Sequence, residues 1–213
     1  MTLPQKIPVT VVTGFLGAGK STLLAHLATN AKSKRLAFLV NEFGDMGVDA
    51  EALACAIPNC EAEDMIELAN GCICCTVADD FLPAMRALID RPNPPDHIII
   101  ETSGLALPKP LLQAFQWPEV RSRTTVDAVV AVADAPAVAA GTFAWDVGAV
   151  DAQRAADPSL DHDAPLAELF EDQMAAADIV LVNKTDLADE AMLTRAEAAI
   201  TAAARGRAPR LAR

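Results

Sequence analysis

Aromatic residues are scarce in this chain, and features of several other protein classes are missing. There is no tyrosine, and aromatic residues make up only 4% of the 213 positions. Aliphatic side chains must therefore build most of the core. No apolar run approaches the roughly 18 uncharged residues that a membrane-spanning helix needs. The first residues lack the charged region, apolar stretch and cleavage site of a signal peptide. We therefore expect a cytoplasmic protein with no membrane partner.

Basic residues are also in the minority. The chain has 17 Lys and Arg residues and 29 Asp and Glu residues, which gives a net charge of −12. A nucleic-acid-binding surface is usually basic, so we expect no nucleic acid partner. The five cysteines form an odd number in a chain without an export signal. This combination favours reduced thiols over a disulfide framework.

Apolar, β-branched runs alternate with segments of helical character. We predict helices at residues 20–31, 78–89 and 189–204, and strands at residues 7–13, 35–41, 97–101, 125–134 and 178–183. Strands that are apolar throughout are typical of a parallel sheet covered by helices on both faces. The sequence thus predicts an α/β fold with a doubly wound, mainly parallel sheet. Residues 44–64 and 141–165 show little periodicity, and we interpret both as long loops that act as switches or contact partners.

The segment after the first predicted strand fits the pattern Gly-x-x-x-x-Gly-Lys-Ser in full. Its residues are Gly14, Phe15, Leu16, Gly17, Ala18, Gly19, Lys20 and Ser21. The glycines let backbone N–H groups point at phosphate oxygens, and the next helix begins beneath the same phosphates. Lys20 can reach the β- and γ-phosphates, and the Ser21 hydroxyl can ligate Mg²⁺. We include Thr22 among the nucleotide-binding residues. A glycine turn without function is the alternative, which the position between a strand and a helix disfavours.

A second motif, Asn183-Lys184-Thr185-Asp186, directly follows the last predicted strand. The Asp186 carboxylate can accept hydrogen bonds from N1–H and the exocyclic amine of guanine, whereas adenine offers no such pair of donors. We therefore predict that Asn183, Lys184 and Asp186 bind guanine. A surface turn with a capping aspartate is the alternative.

Glu101 ends a buried predicted strand and is followed by Thr-Ser-Gly. A carboxylate in this position beside a phosphate loop usually holds a magnesium-bound water. Gly104 would let the backbone approach the γ-phosphate. A capping or surface carboxylate is the alternative for Glu101.

Three cysteines fall within four residues of each other: Cys72, Cys74 and Cys75. Three soft ligands on a short loop can bind zinc, cobalt or copper in preference to magnesium. Glu42 and His162 are candidates for a fourth ligand, and we interpret Cys55 and Cys60 as structural. Inert core thiols or a redox-active pair are the alternatives.

These motifs, together with Asn41-Glu42-Phe43-Gly44, occur in an order that resembles the CobW-type P-loop GTPases. These GTPases are relatives of the nickel-inserting GTPases of urease and hydrogenase maturation. The resemblance covers nearly the whole chain. Residues 101–110 and 162–166 are most similar to members linked to aerobic cobalamin biosynthesis.

The resemblance implies a P-loop GTPase that acts as a metallochaperone. GTP and Mg²⁺ would order the switch loops and assemble the cysteine site around Co²⁺, and hydrolysis would pass the ion to a cobaltochelatase. Lys20, Glu101 and Glu42 would be the catalytic residues, and we expect slow turnover because no arginine finger stands out. A zinc-delivering GTPase with the same residues and a redox-sensing, nucleotide-dependent interaction module are the alternatives. Ligand chemistry alone does not rank cobalt above zinc.

Family members continue past the helix after Asn-Lys-x-Asp with a further strand and a smaller C-terminal domain. This chain ends at Arg213, where that strand should begin. We therefore expect residues 1–213 to form one GTPase domain without the C-terminal domain, as a fragment or a short form. We also expect the edge strand to be missing.

Overall fold

The computed structural model describes residues 6–31, 34–41, 65–68, 81–156 and 165–213. Within them seven strands form one sheet in the order β3-β2-β4-β1-β5-β6-β7. The strands are β1 (Ile7–Thr13), β2 (Leu36–Asn41), β3 (Met65–Leu68), β4 (His97–Glu101), β5 (Thr124–Asp134), β6 (Ile179–Asn183) and β7 (Arg210–Ala212). Every neighbouring pair is parallel. The predicted parallel sheet is therefore confirmed.

Helices cover both faces of this sheet. They are α1 (Lys20–Asn30), α2 (Leu82–Ile89), α3 (Pro108–Ala114), α4 (Pro118–Arg121), α5 (Ala135–Ala140), α6 (Val147–Ala156), α7 (Leu166–Ala176) and α8 (Glu190–Ala203), with a 3-10 turn at Thr185–Leu187. Side chains alternate along β1, so Val12 packs with α1 while Val9 and Val11 pack with α2 and α3 on the other face. In the described part of the chain, no helix is long and apolar enough to cross a bilayer.

Two expectations from the sequence were wrong. Residues 141–165 are not one long loop, because α6 lies within them and Asp146 caps its start by accepting a 2.9 Å hydrogen bond from the Ala149 N–H group. The second error concerns the edge of the sheet. A strand does follow α8, and β7 pairs in parallel with β6 from Ile179 opposite Arg210 to Leu181 opposite Ala212. Its three residues are too few to show a strand pattern in the sequence.

Substituting the same residue type on an inner strand and on an edge strand tests where the core lies. Leu39 in β2 is fully buried, whereas Leu211 in β7 is 36% exposed. We expect Leu39→Ala to lower the free energy of unfolding by about 2–5 kcal/mol, because it leaves a cavity between packed helices and strands. Leu211→Ala should cost less than about 1 kcal/mol. Urea denaturation of both variants checks this, and equal losses of stability would contradict the packing.

Candidate functional site

The candidate site lies at the carboxyl-terminal edge of the parallel sheet. Val12 of β1 lies opposite Glu101 of β4, and Asp134 of β5 lies opposite Asn183 of β6. The loops that leave these strands therefore begin side by side. In open parallel sheets, ligands bind at this edge.

The loop between β1 and α1 forms a turn around the Phe15 carbonyl. The Ala18 N–H group donates to this oxygen at 3.2 Å, and the Lys20 Nζ atom donates to it at 3.2 Å as well. Lys20 is only 3% exposed, so its ammonium lies against the loop rather than in solvent. Helix α1 has no side-chain cap and no acidic residue in its first turn. Its positive end directly follows the loop and is not neutralised by an acidic side chain in its own first turn, as an anion-binding helix requires.

Two oxygen groups meet at the start of α1. The Ser21 hydroxyl donates a 3.4 Å hydrogen bond to Oε1 of Glu101, a residue at the end of β4 that is 3% exposed. A hydroxyl and a carboxylate are the hard oxygen ligands that Mg²⁺ prefers. The donor set of Ser21 and Glu101 therefore fits the magnesium site that the sequence predicts.

Gly104 holds the loop after β4 close to the phosphate-binding loop. A Cβ atom at Gly104 would lie 2.7 Å from the backbone nitrogen of Leu16, which is too close for any side chain. Behind it, fully buried Gln173 of α7 donates a 3.0 Å hydrogen bond from Nε2 to the Gly104 carbonyl. Gln173 was not predicted as a site residue, because a single amide on an amphipathic helix carries no sequence signal.

Asn183 joins the second motif to the first. Its Nδ2 atom donates a 2.8 Å hydrogen bond to the Ala18 carbonyl. Gly19 has a left-handed φ of 105°, and a Cβ atom there would overlap the Asn183 amide. Glycine at position 19 thus serves both the turn and this close approach.

Lys184 and Asp134 form a largely buried ion pair beside this junction. The Lys184 Nζ atom lies 2.6 Å from Oδ2 of Asp134, which is 1% exposed. Oδ1 of Asp134 accepts a 3.0 Å hydrogen bond from the Ala137 N–H group and so caps α5. The sequence did contain a signal for Asp134, since it ends an apolar strand in the same way as Glu101.

The family follows from comparison with known proteins. The model of the CobW/HypB/UreG nucleotide-binding domain matches residues 8–211. This chain belongs to the CobW/HypB/UreG family.

Named relatives in the family agree with this. The chain is 60% identical over 185 residues to a "Zinc chaperone CobW" from Sinorhizobium sp, covering 86% of this chain and 52% of the relative. It is 58% identical over 199 residues to the protein of the same name from Pseudomonas aeruginosa, covering 92% and 53%. The chain thus spans about half the length of the curated relatives it matches.

A solved structure supports the fold assignment. The Zn(II)-bound YjiA GTPase from E. coli superposes with a TM-score of 0.53 at 27% identity. The superposition covers 88% of this chain and 52% of that one. The predicted fold of the P-loop GTPase type is therefore confirmed for this CobW/HypB/UreG member.

The structure brings together most of the predicted nucleotide-binding residues of this family member. Lys20, Ser21, Glu101, Gly104 and Asn183 are linked by the contacts above. Thr22 lies exposed in the first turn of α1, and Asp186 is exposed in the 3-10 turn beside Lys184. Their roles toward a ligand stay predictions.

The predicted transition-metal ligands Cys72, Cys74 and Cys75 lie outside the described residues, as do the two candidates for a fourth ligand, Glu42 and His162. Cys55 and Cys60, which we interpreted as structural, lie outside them as well. Among the described residues, no group of three or more His, Cys, Asp or Glu side chains could hold a metal ion.

Replacing Asp186 by Asn tests the predicted base specificity. The amide presents a donor where the carboxylate presents an acceptor, so Asp186→Asn should bind GTP at least about tenfold more weakly and favour XTP, whose base has the reversed pattern. Calorimetric titration with both nucleotides measures this. Asp151→Asn, at an exposed position on α6, is the matched control. Unchanged GTP affinity in Asp186→Asn would remove the basis for guanine recognition.

Proposed function

We propose that this chain binds GTP with Mg²⁺, hydrolyses it slowly, and uses the nucleotide state to control the binding and release of Zn(II). The observation that carries the proposal is the hydrogen bond from Asn183 Nδ2 to the Ala18 carbonyl at 2.8 Å. It holds the guanine-binding motif directly against the phosphate-binding loop. A single guanine nucleotide could then contact both motifs at once.

We assign the steps of nucleotide binding and hydrolysis to particular residues. Lys20 would bind the β- and γ-phosphates, and the N-terminus of α1 would add its backbone N–H groups. Ser21 and Glu101 would hold Mg²⁺, which when bound neutralises charge on the phosphate oxygens. Glu42 is our candidate for orienting the attacking water. We expect slow turnover, as in GTPases that rely on a supplied arginine.

Zn(II) is the cargo that we propose for Cys72, Cys74 and Cys75. The family resemblance had implied Co(II) and a cobaltochelatase as the recipient, with zinc as an alternative. Both bacterial relatives carry the name zinc chaperone. Thiolates suit either ion, and Zn(II) binds more tightly than Co(II) to most such sites. The recipient would be a metal-requiring protein that accepts Zn(II) from these thiolates.

Metal binding should depend on the nucleotide. The three cysteines lie in the sequence between Glu42 and Glu101, the two positions that we assign to the γ-phosphate and Mg²⁺. If GTP orders this part of the chain, the thiols are brought together, and linkage requires Zn(II) to tighten GTP binding by the same factor. Thiolate ligation releases protons from groups with an ordinary pKa near ~8.5, so Zn(II) affinity should rise with pH.

A Zn(II) titration against a chromophoric chelator tests this coupling. With a non-hydrolysable GTP analogue and Mg²⁺, we expect Zn(II) to bind at least about tenfold more tightly than with GDP. Co(II) bound by the cysteines should give a thiolate-to-metal charge-transfer absorption, and this absorption should disappear when Zn(II) displaces the Co(II).

Cysteine variants provide the control for this titration. Changing Cys72, Cys74 and Cys75 to serine should abolish tight binding, whereas changing Cys55 and Cys60 to serine should preserve it. Equal Zn(II) affinity in both nucleotide states would contradict the delivery mechanism, as would full affinity in the triple serine variant. The proposal that the chain binds guanine nucleotide would stand with either result.

A further inference from the structure

A large aromatic side chain is exposed to solvent beside the Asn-Lys-x-Asp motif that we propose binds guanine. Trp145 is 67% exposed, which is the highest value among the large hydrophobic residues that the structure describes as exposed. It lies in the segment between α5 and α6, in a chain that has only two tryptophans. An exposed tryptophan next to a ligand site offers a flat apolar surface to a ligand ring.

Lys184 of the motif contacts the Trp145 ring. The Lys184 Nζ atom lies 5.6 Å from the ring centroid, within the range of a cation–π contact. The same ammonium forms the ion pair with the buried Asp134 carboxylate. The backbone of Lys184 is left-handed, with a φ of 57°. Asp186 follows two residues later. A base bound by Asp186 would therefore lie beside Lys184 and within reach of Trp145.

The segment that carries Trp145 is anchored on both sides. Before it, Phe143 stacks on Phe170 of α7 at a centroid distance of 4.6 Å and on Phe15 of the phosphate-binding loop at 6.3 Å. After it, Asp146 caps α6. Phe143 fills the aromatic cluster, and Trp145 two residues later remains outside the core. The backbone therefore presents Trp145 at a defined place on the rim of the site.

We propose that Trp145 stacks on the purine base of the bound nucleotide and forms the outer wall of the base site. This inference rests on the proposed guanine nucleotide binding and adds a residue that the motifs do not contain. Stacking on an indole ring is independent of the hydrogen-bonding pattern of the base. Trp145 therefore contributes affinity for any purine nucleotide, and Asp186 contributes the choice of guanine.

The second tryptophan allows a direct optical test. Trp117 is half-buried and precedes α4, which leads into the start of β5 at the amino-terminal edge of the sheet, opposite the site. In a Trp117→Phe background, all tryptophan fluorescence comes from Trp145. Saturating GDP should quench this emission, because the base stacks on the ring, whereas pyrophosphate, which has no base, should leave it unchanged.

Affinity measurements complete the test. Trp145→Ala should weaken GDP binding by about 5- to 100-fold, the usual effect of losing one base–aromatic stack, while Trp145→Phe should keep most of the affinity. Pyrophosphate binding should be equal in both variants and in the unchanged protein, which also verifies that the phosphate site is folded.

The outcomes separate this inference from the proposed function. If calorimetry shows GDP binding but Trp145 emission does not change, or Trp145→Ala binds GDP with full affinity, Trp145 is not part of the base site and the proposed function stands. A change in self-association of Trp145→Ala with unaltered GDP affinity would likewise overturn the inference in favour of a protein interface. If the unchanged protein binds no GDP, the proposed function and the inference both fall.

Discussion

The parallel direction of all the described strands is the constraint on which the rest of the site depends. In the described sheet, each pairing joins strands that point the same way, so the carboxyl ends of β1, β4, β5 and β6 emerge at one edge. The register then decides which side chains meet. Val12 lies opposite Glu101, and Asp134 lies opposite Asn183. A slip of one residue would turn each of these side chains to the other face of the sheet.

Close backbone approaches then join the loops into one unit. The Asn183 amide reaches the Ala18 carbonyl because Gly19 has no side chain in its path. On the other side, Gly104 lies against Leu16 and is held by Gln173 of α7. The loop after β4 is thus hydrogen-bonded to α7 as well as packed against the phosphate-binding loop.

The parts of the fold that the sequence predicted are those with continuous local patterns. β1 and β4 have the predicted bounds, because strands covered on both faces leave unbroken apolar runs. The Gly-x-x-x-x-Gly-Lys-Ser and Asn-Lys-x-Asp motifs were identified from the spacing of their residues and from their positions directly after predicted strands. Helix α6 was not predicted, because Val150 is the buried large apolar residue among its described side chains, and its alanines give little helical periodicity.

The unpredicted site residues depend on contacts that are distant in sequence. Asp134 became part of the site through its ion pair with Lys184, which requires the pairing of β5 with β6. Gln173 donates its hydrogen bond to Gly104, which is 69 positions away in the sequence. Trp145 lies with Phe143 in a short segment without periodicity, so its place beside Lys184 could not be inferred from the sequence. Gln173 and Trp145 therefore need the tertiary structure to be recognised, whereas the place of Asp134 at the end of an apolar strand was a signal in the sequence.

The central claim is that the carboxyl-terminal edge of the sheet binds guanine nucleotide through Lys20 and the Asn183 motif. Direct competition between GTP and ATP for the purified chain, in the presence of Mg²⁺ and with Lys20→Ala measured in parallel, tests it most directly. The account predicts that GTP displaces a labelled GDP analogue, that ATP at the same concentration does not, and that Lys20→Ala loses most of its affinity for GTP. Equal displacement by ATP and GTP, or undiminished GTP binding by Lys20→Ala, would contradict it.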